Sequence, residues 1–407
     1  MKNISFILLG IFLVAASCKK DTPKVSKKFT VTIQNVFQPK DYLNSGTTGL
    51  LKPGESAKIA FDAGIGQYLQ LGTMFVQSND LFVAPDDAGI ALYDGRVPLT
   101  GDITGLFKLW DAGTEVNEMP GQGPNQPLRQ SGPNTGKEEN GTVGLVNDGF
   151  SYPGVSEVLK VTLEHDGGTG FVLTLENISA NSSIPTPFAP GTWVIHSKGQ
   201  YPMFKEGDKA SPGLEALAED GNIAKMKDNL SAKSGFFSPF APGAYSVGST
   251  NEVFMSGQPA SAALEALAED GDPSGFAHVF NTPEGATKPG PLLPGGSYSL
   301  SFDAEEGDQL SLALMLVQSN DWFVGVDKID LFSNGAALDG DVTDRFSLYD
   351  AGTEVDEYAG AGNYQPLRQP GPNSGPAENG KVVKEAAAGA HVPVKVSDYL
   401  KVTIKSN

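Results

Sequence analysis

The apolar positions of this chain fall in short alternating runs. Phe29-Thr-Val-Thr-Ile-Gln-Asn-Val36 puts every second side chain on one face, and Phe171-Val-Leu-Thr-Leu-Glu-Asn-Ile178 repeats the pattern. A period of two is the signature of a half-buried strand. Ser56-Ala-Lys-Ile-Ala-Phe-Asp62 matches Ser297-Tyr-Ser-Leu-Ser-Phe-Asp303, and Val158-Leu-Lys-Val-Thr-Leu163 matches Tyr399-Leu-Lys-Val-Thr-Ile404. Turn residues split these runs throughout, with 49 Gly and 28 Pro in the chain. Short strands between turns predict an all-β protein of antiparallel β-sandwich domains.

Because the runs recur in the same order, the chain reads as a tandem duplication. The expected units are 29–165 and 170–407, opened by the 29–36 and 171–178 runs. Within the second, residues 186–275 read as an insertion that is itself duplicated. Thr186-Pro-Phe-Ala-Pro-Gly191 and Ser238-Pro-Phe-Ala-Pro-Gly243 each lead to Leu-Glu-Ala-Leu-Ala-Glu-Asp-Gly, at 214–221 and 264–271. Ser211-Pro212 supplies a cap and first turn, and Gly221 and Gly271 supply stops, so two short helices are predicted and no others. The first unit is expected to lack this insertion. Glu215/Glu219 and Glu265/Glu269 fall at i, i+4 on one face; such pairs can serve acid/base chemistry, and a solvated helix face is the favoured expectation.

The amino terminus carries an address. Lys2, an apolar stretch from Ile4 to Ala16, and Ala15-Ala-Ser-Cys18 have the layout of a bacterial lipoprotein signal. Residues 1–17 are expected to be the signal peptide. Residues 18–28 are expected to be a lipidated Cys18 followed by a tether with five lysines and one aspartate. This predicts an outer-membrane lipoprotein of a bacterial cell envelope, periplasmic or surface-exposed, with the membrane as a partner through its lipid anchor. The apolar stretch is too short for a comfortable span. Cys18 is the only cysteine, so no intrachain disulfide forms. A net charge of −19 and a pI near 4.6 argue against a nucleic-acid partner, since phosphate binding needs clustered Lys and Arg.

The residues with the most chemistry lie in two matching stretches. Gln77-Ser-Asn-Asp-Leu-Phe-Val83 precedes Trp110-Asp-Ala-Gly-Thr-Glu-Val-Asn-Glu118, and Gln318-Ser-Asn-Asp-Trp-Phe-Val-Gly-Val326 precedes Tyr349-Asp-Ala-Gly-Thr-Glu-Val-Asp-Glu357. Each offers an Asp before an apolar run, then an Asp and a Glu four residues apart around a Gly. These are hard oxygen donors of the kind calcium takes, six to eight at a time. Asp80, Asp111 and Glu115, and again Asp321, Asp350 and Glu354, either hold such an ion or simply face water. They do not fit the twelve-residue helix–loop–helix spacing, so a site would be assembled from separate loops.

Asp321-Trp-Phe-Val-Gly-Val326 followed by Tyr349-Asp-Ala-Gly-Thr-Glu354 resembles the spondin domain family, known from animal F-spondin and mindin and from many bacterial secreted proteins. The family pattern is Asp-Trp-Phe-Val-Gly, then Trp-Asp-Ala-Gly-Thr-Asp. Its bacterial members also carry Glu-Ala-Leu-Ala-Glu-Asp-Gly. The resemblance implies a β-sandwich related to calcium- and lipid-binding domains, with calcium on three acidic side chains. By motif position these are Asp321, Asp350 and Glu354, and by repetition Asp80, Asp111 and Glu115. Here the last acid is Glu where the family has Asp. The first copy also has Leu81 for the Trp and Ala84-Pro-Asp-Asp87 where Gly-Val would follow.

The resemblance implies a non-enzymatic role in adhesion, with an extracellular protein or glycan as ligand. The alternative is a structural or assembly module of the outer membrane in which calcium only orders loops. A metal-assisted hydrolase is the third reading, and the residues give it little support. The four histidines share no motif, and no nucleophile-plus-base pattern surrounds a serine. Gln126-Pro-Leu-Arg-Gln130 with Gly132-Pro-Asn134 recurs as Gln365-Pro-Leu-Arg-Gln369 with Gly371-Pro-Asn373. Its arginine either binds a carboxylate or sugar of a ligand, or pairs with the neighbouring acids of the fold.

Overall fold

The computed structural model describes residues 25–385, 392 and 395–407. The expected signal peptide, Cys18 and most of the lysine-rich tether lie outside the described residues. Antiparallel sheets dominate, stacked in pairs around two apolar cores. In the first sandwich a sheet of Ser56–Asp62, Gly170–Asn177, Leu159–His165 and Gly101–Asp102 covers one face. Its partner sheet runs through Gly144–Leu145, Lys108–Asp111, Leu81–Ala84, Gln67–Met74, Thr192–Ser197 and Tyr42–Thr47.

The second sandwich repeats this plan. Ser297–Glu305, Ser26–Asn35, Leu400–Ser406 and Gly340–Asp341 form one sheet. Val279–Phe280, Phe240–Gly248, Gln309–Leu316, Trp322–Asp330, Ser347–Asp350 and Val383–Lys384 form the other. The alternation read from the sequence holds: Phe29, Val31 and Ile33 are fully buried, with polar residues between them facing outward.

Strand pairing divides the chain elsewhere than at 165–170. The Ser26–Asn35 strand, expected to open the first unit, lies in the second sandwich between Ser297–Glu305 and Leu400–Ser406, with Phe29 opposite Phe302 and Val31 opposite Ile404. The Gly170–Asn177 strand, expected to open the second unit, completes the first sandwich instead, with Phe171 opposite Phe61 and Leu173 opposite Ile59. The cause is local. Asp166-Gly-Gly-Thr-Gly170 is a short turn with Gly167 at φ 96°, and the Asp166 amide donates to the Gly170 carbonyl at 3.0 Å. A turn of this length closes a hairpin, so the two strands it joins pair with each other. The first sandwich is thereby complete within one continuous stretch, and the second borrows its inner strand from far upstream.

The expected insertion is shared out in the same way. Thr192–Ser197 pairs with Gln67–Met74 in the first sandwich, and Phe240–Gly248 pairs with Gln309–Leu316 in the second. Each sandwich therefore owns one helix-bearing segment, which corrects the expectation that the first lacks it. Two equivalent asparagines fasten these segments. Asn177 Nδ2 donates to the carbonyls of Leu51 and Thr186, and Asn35 Nδ2 to those of Ser238 and Leu292, all at 2.8–3.0 Å.

The predicted helices form as Pro212–Asp220 and Ala262–Asp270. Ser211 and Ser261 cap them by accepting from the amides of Leu214 and Leu264, and Gly221 and Gly271 end them in the left-handed region at φ 61° and 68°. A further helix, Ala224–Lys233, was not foreseen. Its buried positions, Met226 and Leu230, are one turn apart, and they pack with the first helix on Phe82, Trp110 and Val194. In the second sandwich Ala262–Asp270 packs on Ala313, Phe323 and Tyr349.

The sandwiches meet through turns. Arg96 donates to the carbonyls of Arg368 and Asn363, Asn363 accepts from the amide of Ile65, and Gln67 donates to the Gly360 carbonyl. Among the described residues no helix is long and apolar enough to cross a membrane.

Candidate metal centre

Each acidic loop is assembled on the same hydrogen-bonded frame. In the second sandwich the chain leaves the Gln309–Leu316 strand through Gln318-Ser-Asn. Ser319 Oγ donates to the Leu316 carbonyl at 2.6 Å and accepts from the Trp322 amide at 3.2 Å. This turn points the fully buried Asp321 at the Asp-Ala-Gly-Thr-Glu loop. Asp321 Oδ2 accepts from the Thr353 amide at 2.7 Å, the Thr353 hydroxyl at 3.0 Å and the Glu354 amide at 3.1 Å. Its other oxygen, Oδ1, is buried and has no hydrogen-bond partner. Asp350 Oδ1 accepts from the Gly352 amide at 2.6 Å.

Gly352 explains how a third segment of the site arrives. It sits at φ 69°, and a Cβ there would lie 2.6 Å from the Lys381 nitrogen. Without that Cβ, the following loop presses in, with Gly380 and Glu378 amides bonded to the Gly352 and Thr353 carbonyls at 2.7 and 2.9 Å. The carboxylates of Asp321, Asp350 and Glu378 are thereby brought within 4.8 Å of one another. Asp350 also belongs to a second group of the same spacing, with Asp356 and Glu385.

The first sandwich keeps the frame almost atom for atom. Asp80 Oδ2 accepts from the Thr114 amide, the Thr114 hydroxyl and the Glu115 amide at 2.7, 3.1 and 3.0 Å, and Asp80 Oδ1 is again buried without a partner. Asp111 Oδ1 accepts from the Gly113 amide at 2.7 Å. Gly113, at φ 68°, meets the 139–142 loop closely, and Asp80, Asp111 and Glu139 gather within 4.8 Å.

The structure thus brings together Asp321 with Asp350, and Asp80 with Asp111, as the sequence suggested. It does not bring Glu354 or Glu115 to either group. Glu354 Oε1 accepts from the Gly375 amide at 2.6 Å and Oε2 from Asn320 at 3.4 Å, while Glu115 does the same with Gly136 and Asn79 at 2.7 and 3.3 Å. Both glutamates fasten a loop. The third acid of each group is instead Glu378 or Glu139, from the recurring Glu-Asn-Gly at 378–380 and 139–141. That repetition was the signal available in the sequence.

Burial and crowding raise the pKa values of the acids here. Burial, then the charge of Asp321, holds the Asp350 carboxyl up at about 7. Burial, then the charge of Asp111, does the same for Asp80, at about 7. Asp356 stands at about 8, raised by burial and then by Asp350 and Asp321. Burial also raises Asp321 and Asp111. Acids this close cannot all ionise without a compensating cation. The unpartnered Asp321 Oδ1 and Asp80 Oδ1, each beside two further carboxylates, fit a hard cation of the calcium type.

Two other sequence features find their places. Glu219 and Glu269 do not face solvent: they are 3% and 2% exposed, against the acidic loops. Burial raises both to about 7. The Gln-Pro-Leu-Arg-Gln motif braces the fold. Gln130 and Gln369 donate to Asp220 and Asp270 at 2.9 Å, and Asn134 and Asn373 donate to Glu215 and Glu265. Arg129 and Arg368 donate to the Gly123 and Gly360 carbonyls and to Gln77 and Gln318, so they hold carbonyl and amide groups of the fold where paired acids were expected.

Comparison with known proteins adds one match. Residues 237–358 match the family model described as Spondin_N, a span that starts just before the Phe240–Gly248 strand and covers Asp321, Asp350 and Glu354. No curated protein matches the chain. The second sandwich therefore carries a domain of the spondin family.

Proposed function

We propose that this protein is a calcium-stabilised, non-enzymatic binding module of a bacterial cell envelope, held to the membrane by lipid on Cys18. Asp321, Asp350 and Glu378 would hold the ion in the second sandwich, and Asp80, Asp111 and Glu139 would hold one in the first. The observation that carries this reading is Asp321 itself: fully buried, one oxygen held by three donors, the other without a partner beside two more carboxylates. An ion would supply the positive charge that these loops lack and so keep them in one conformation. Loops ordered in this way can present a surface to an extracellular protein or glycan. The spondin match supports adhesion as the setting, by analogy with the family.

Two experiments test the reading. Calorimetric titration of the purified protein with calcium should show saturable binding, with an event lost in Asp350→Asn. No heat at millimolar calcium would remove the ion from the account. In cells, attachment to a surface or matrix should fall in Asp350→Asn and in Cys18→Ser. If attachment is unchanged while only the melting temperature falls, the ion orders loops of a structural or assembly module and adhesion is the wrong setting.

A further inference from the structure

Beside the acidic loop of the first sandwich lies a cavity of about 230 Å³, between that loop and the Pro212–Asp220 helix. Its walls include Thr114, Asn134, Glu138, Lys209, Glu215 and Glu219. Glu219 is the buried acid of this lining: it is 3% exposed, and its Oε2 is buried with no hydrogen-bond partner. The equivalent Glu269 of the second sandwich is 2% exposed and has the same oxygen unpartnered, so the feature recurs in two separately encoded helices. A buried carboxylate oxygen without a donor is costly, and a ligand that brings a donor relieves that cost.

The lining decides which ligand. Three carboxylates against a single lysine repel an anion. No aromatic ring lines the cavity, so a sugar or base has nothing to stack on. Glu138, Glu215 and Glu219 belong to no group of acids close enough to share a metal ion, among the described residues. What remains complementary is a small organic cation with several N–H donors. Lys209 shows the chemistry in place: its ammonium lines the cavity and donates to the Asn140 carbonyl.

We propose that this cavity binds a primary alkylammonium group, with Glu219 as its buried acceptor and Glu215 and Glu138 nearer the mouth. The site is distinct from the cluster of Asp80, Asp111 and Glu139, and the proposal does not depend on calcium binding there. The shared chemistry leaves two sources, a free diamine or a lysine side chain of a protein partner.

The test is calorimetric titration of the purified protein, at constant millimolar calcium, with 1,5-diaminopentane and with a lysine capped at both ends. Wild type should bind at least one probe, and Glu219→Gln should weaken it by about tenfold or more. Lys209→Ala removes the competing ammonium and should tighten binding severalfold, a gain that misfolding cannot produce. Tighter binding of the capped lysine assigns the site to a protein partner, and tighter binding of the diamine assigns it to a free amine. Absence of binding of either probe to wild type, or equal affinity in wild type and a folded Glu219→Gln, would overturn the proposal.

Discussion

The two acidic loops share a frame and differ in what surrounds it. In both, the first Asp accepts the same three donors, at distances that agree within about 0.1 Å, and leaves the same oxygen without a partner. Around the second Asp they diverge. Asn117 donates its amide to Asp111 Oδ2 at 2.7 Å, whereas the equivalent Asp356 adds a carboxyl group beside Asp350, and Glu385 adds another. The first site is a triad of acids softened by an amide. The second is two triads sharing Asp350. A shared backbone frame therefore does not set how strongly a loop needs a cation; the side chains outside the frame do.

The sandwiches themselves differ in the same spirit. The first is built from one continuous stretch, and the second depends on Ser26–Asn35 arriving from before it. Deleting residues 26–36 should give the largest effect of any change considered. It strips Phe29, Val31 and Ile33 from one core, each worth about 1.5–3 kcal/mol when buried. Amide hydrogen exchange should then show the second sandwich open and the first protected. Equal protection in both would break the assignment of that strand.

Calcium removal should come next. At calcium near a thousand times its dissociation constant the ion contributes about 4 kcal/mol, and a chelator should lower the melting temperature of the second sandwich more than that of the first. The effect should grow with pH. Without an ion, folded Asp350 and Asp356 keep their protons to about 7 and about 8, while the unfolded chain releases them near the ordinary value of 3.8. The folded state then binds more protons across that window. Calcium-free stability should therefore be highest near pH 4 and fall as pH rises to about 8. Calcium requires the ionised acids, so its stabilisation should increase over the same range. Calcium-free melting temperatures that rise between pH 5 and 8 would contradict the burial of these groups.

Gly352→Ala should cost about 1–3 kcal/mol, since it forces a side chain into the left-handed region and against the Lys381 backbone. It should also weaken calcium, because the loop that carries Glu378 is displaced; a thermal melt with and without the ion checks both. The smallest change is the most informative. Asp356→Asn makes the second loop resemble the first, and Asn117→Asp does the reverse. The former should stabilise the calcium-free protein by about 1 kcal/mol and weaken calcium, and the latter should do the opposite. Equal responses of the two loops would show that the frame alone governs them.

Much of this was legible in the sequence, and the gaps have physical causes. Alternation in 29–36 and 171–178 predicted strands that are strands, and the Ser211-Pro212 cap with the Gly221 and Gly271 stops predicted two helices that form. Periodicity reports which face of a strand is buried, not which sheet it joins, so the exchange of the two opening strands was hidden. Only the Asp-Gly-Gly turn at 166–168 pointed to it. Asp321, Asp350, Asp80 and Asp111 were found because they lie in dense motifs. Glu378 and Glu139 were missed because they enter from a loop more than twenty residues downstream, brought in by the close approach at Gly352 and Gly113. Glu354 and Glu115 had the right chemistry and spacing, yet each carboxylate is taken by a backbone amide and an asparagine side chain, which a linear motif does not reveal.

The most direct test of the central claim is an anomalous-scattering map from crystals of the protein grown in calcium. The map should show an ion bound by Asp321, Asp350 and Glu378, with Glu354 still holding the Gly375 amide. An ion ligated by Glu354 in place of Glu378, or no ion in this loop at saturating calcium, would contradict that claim.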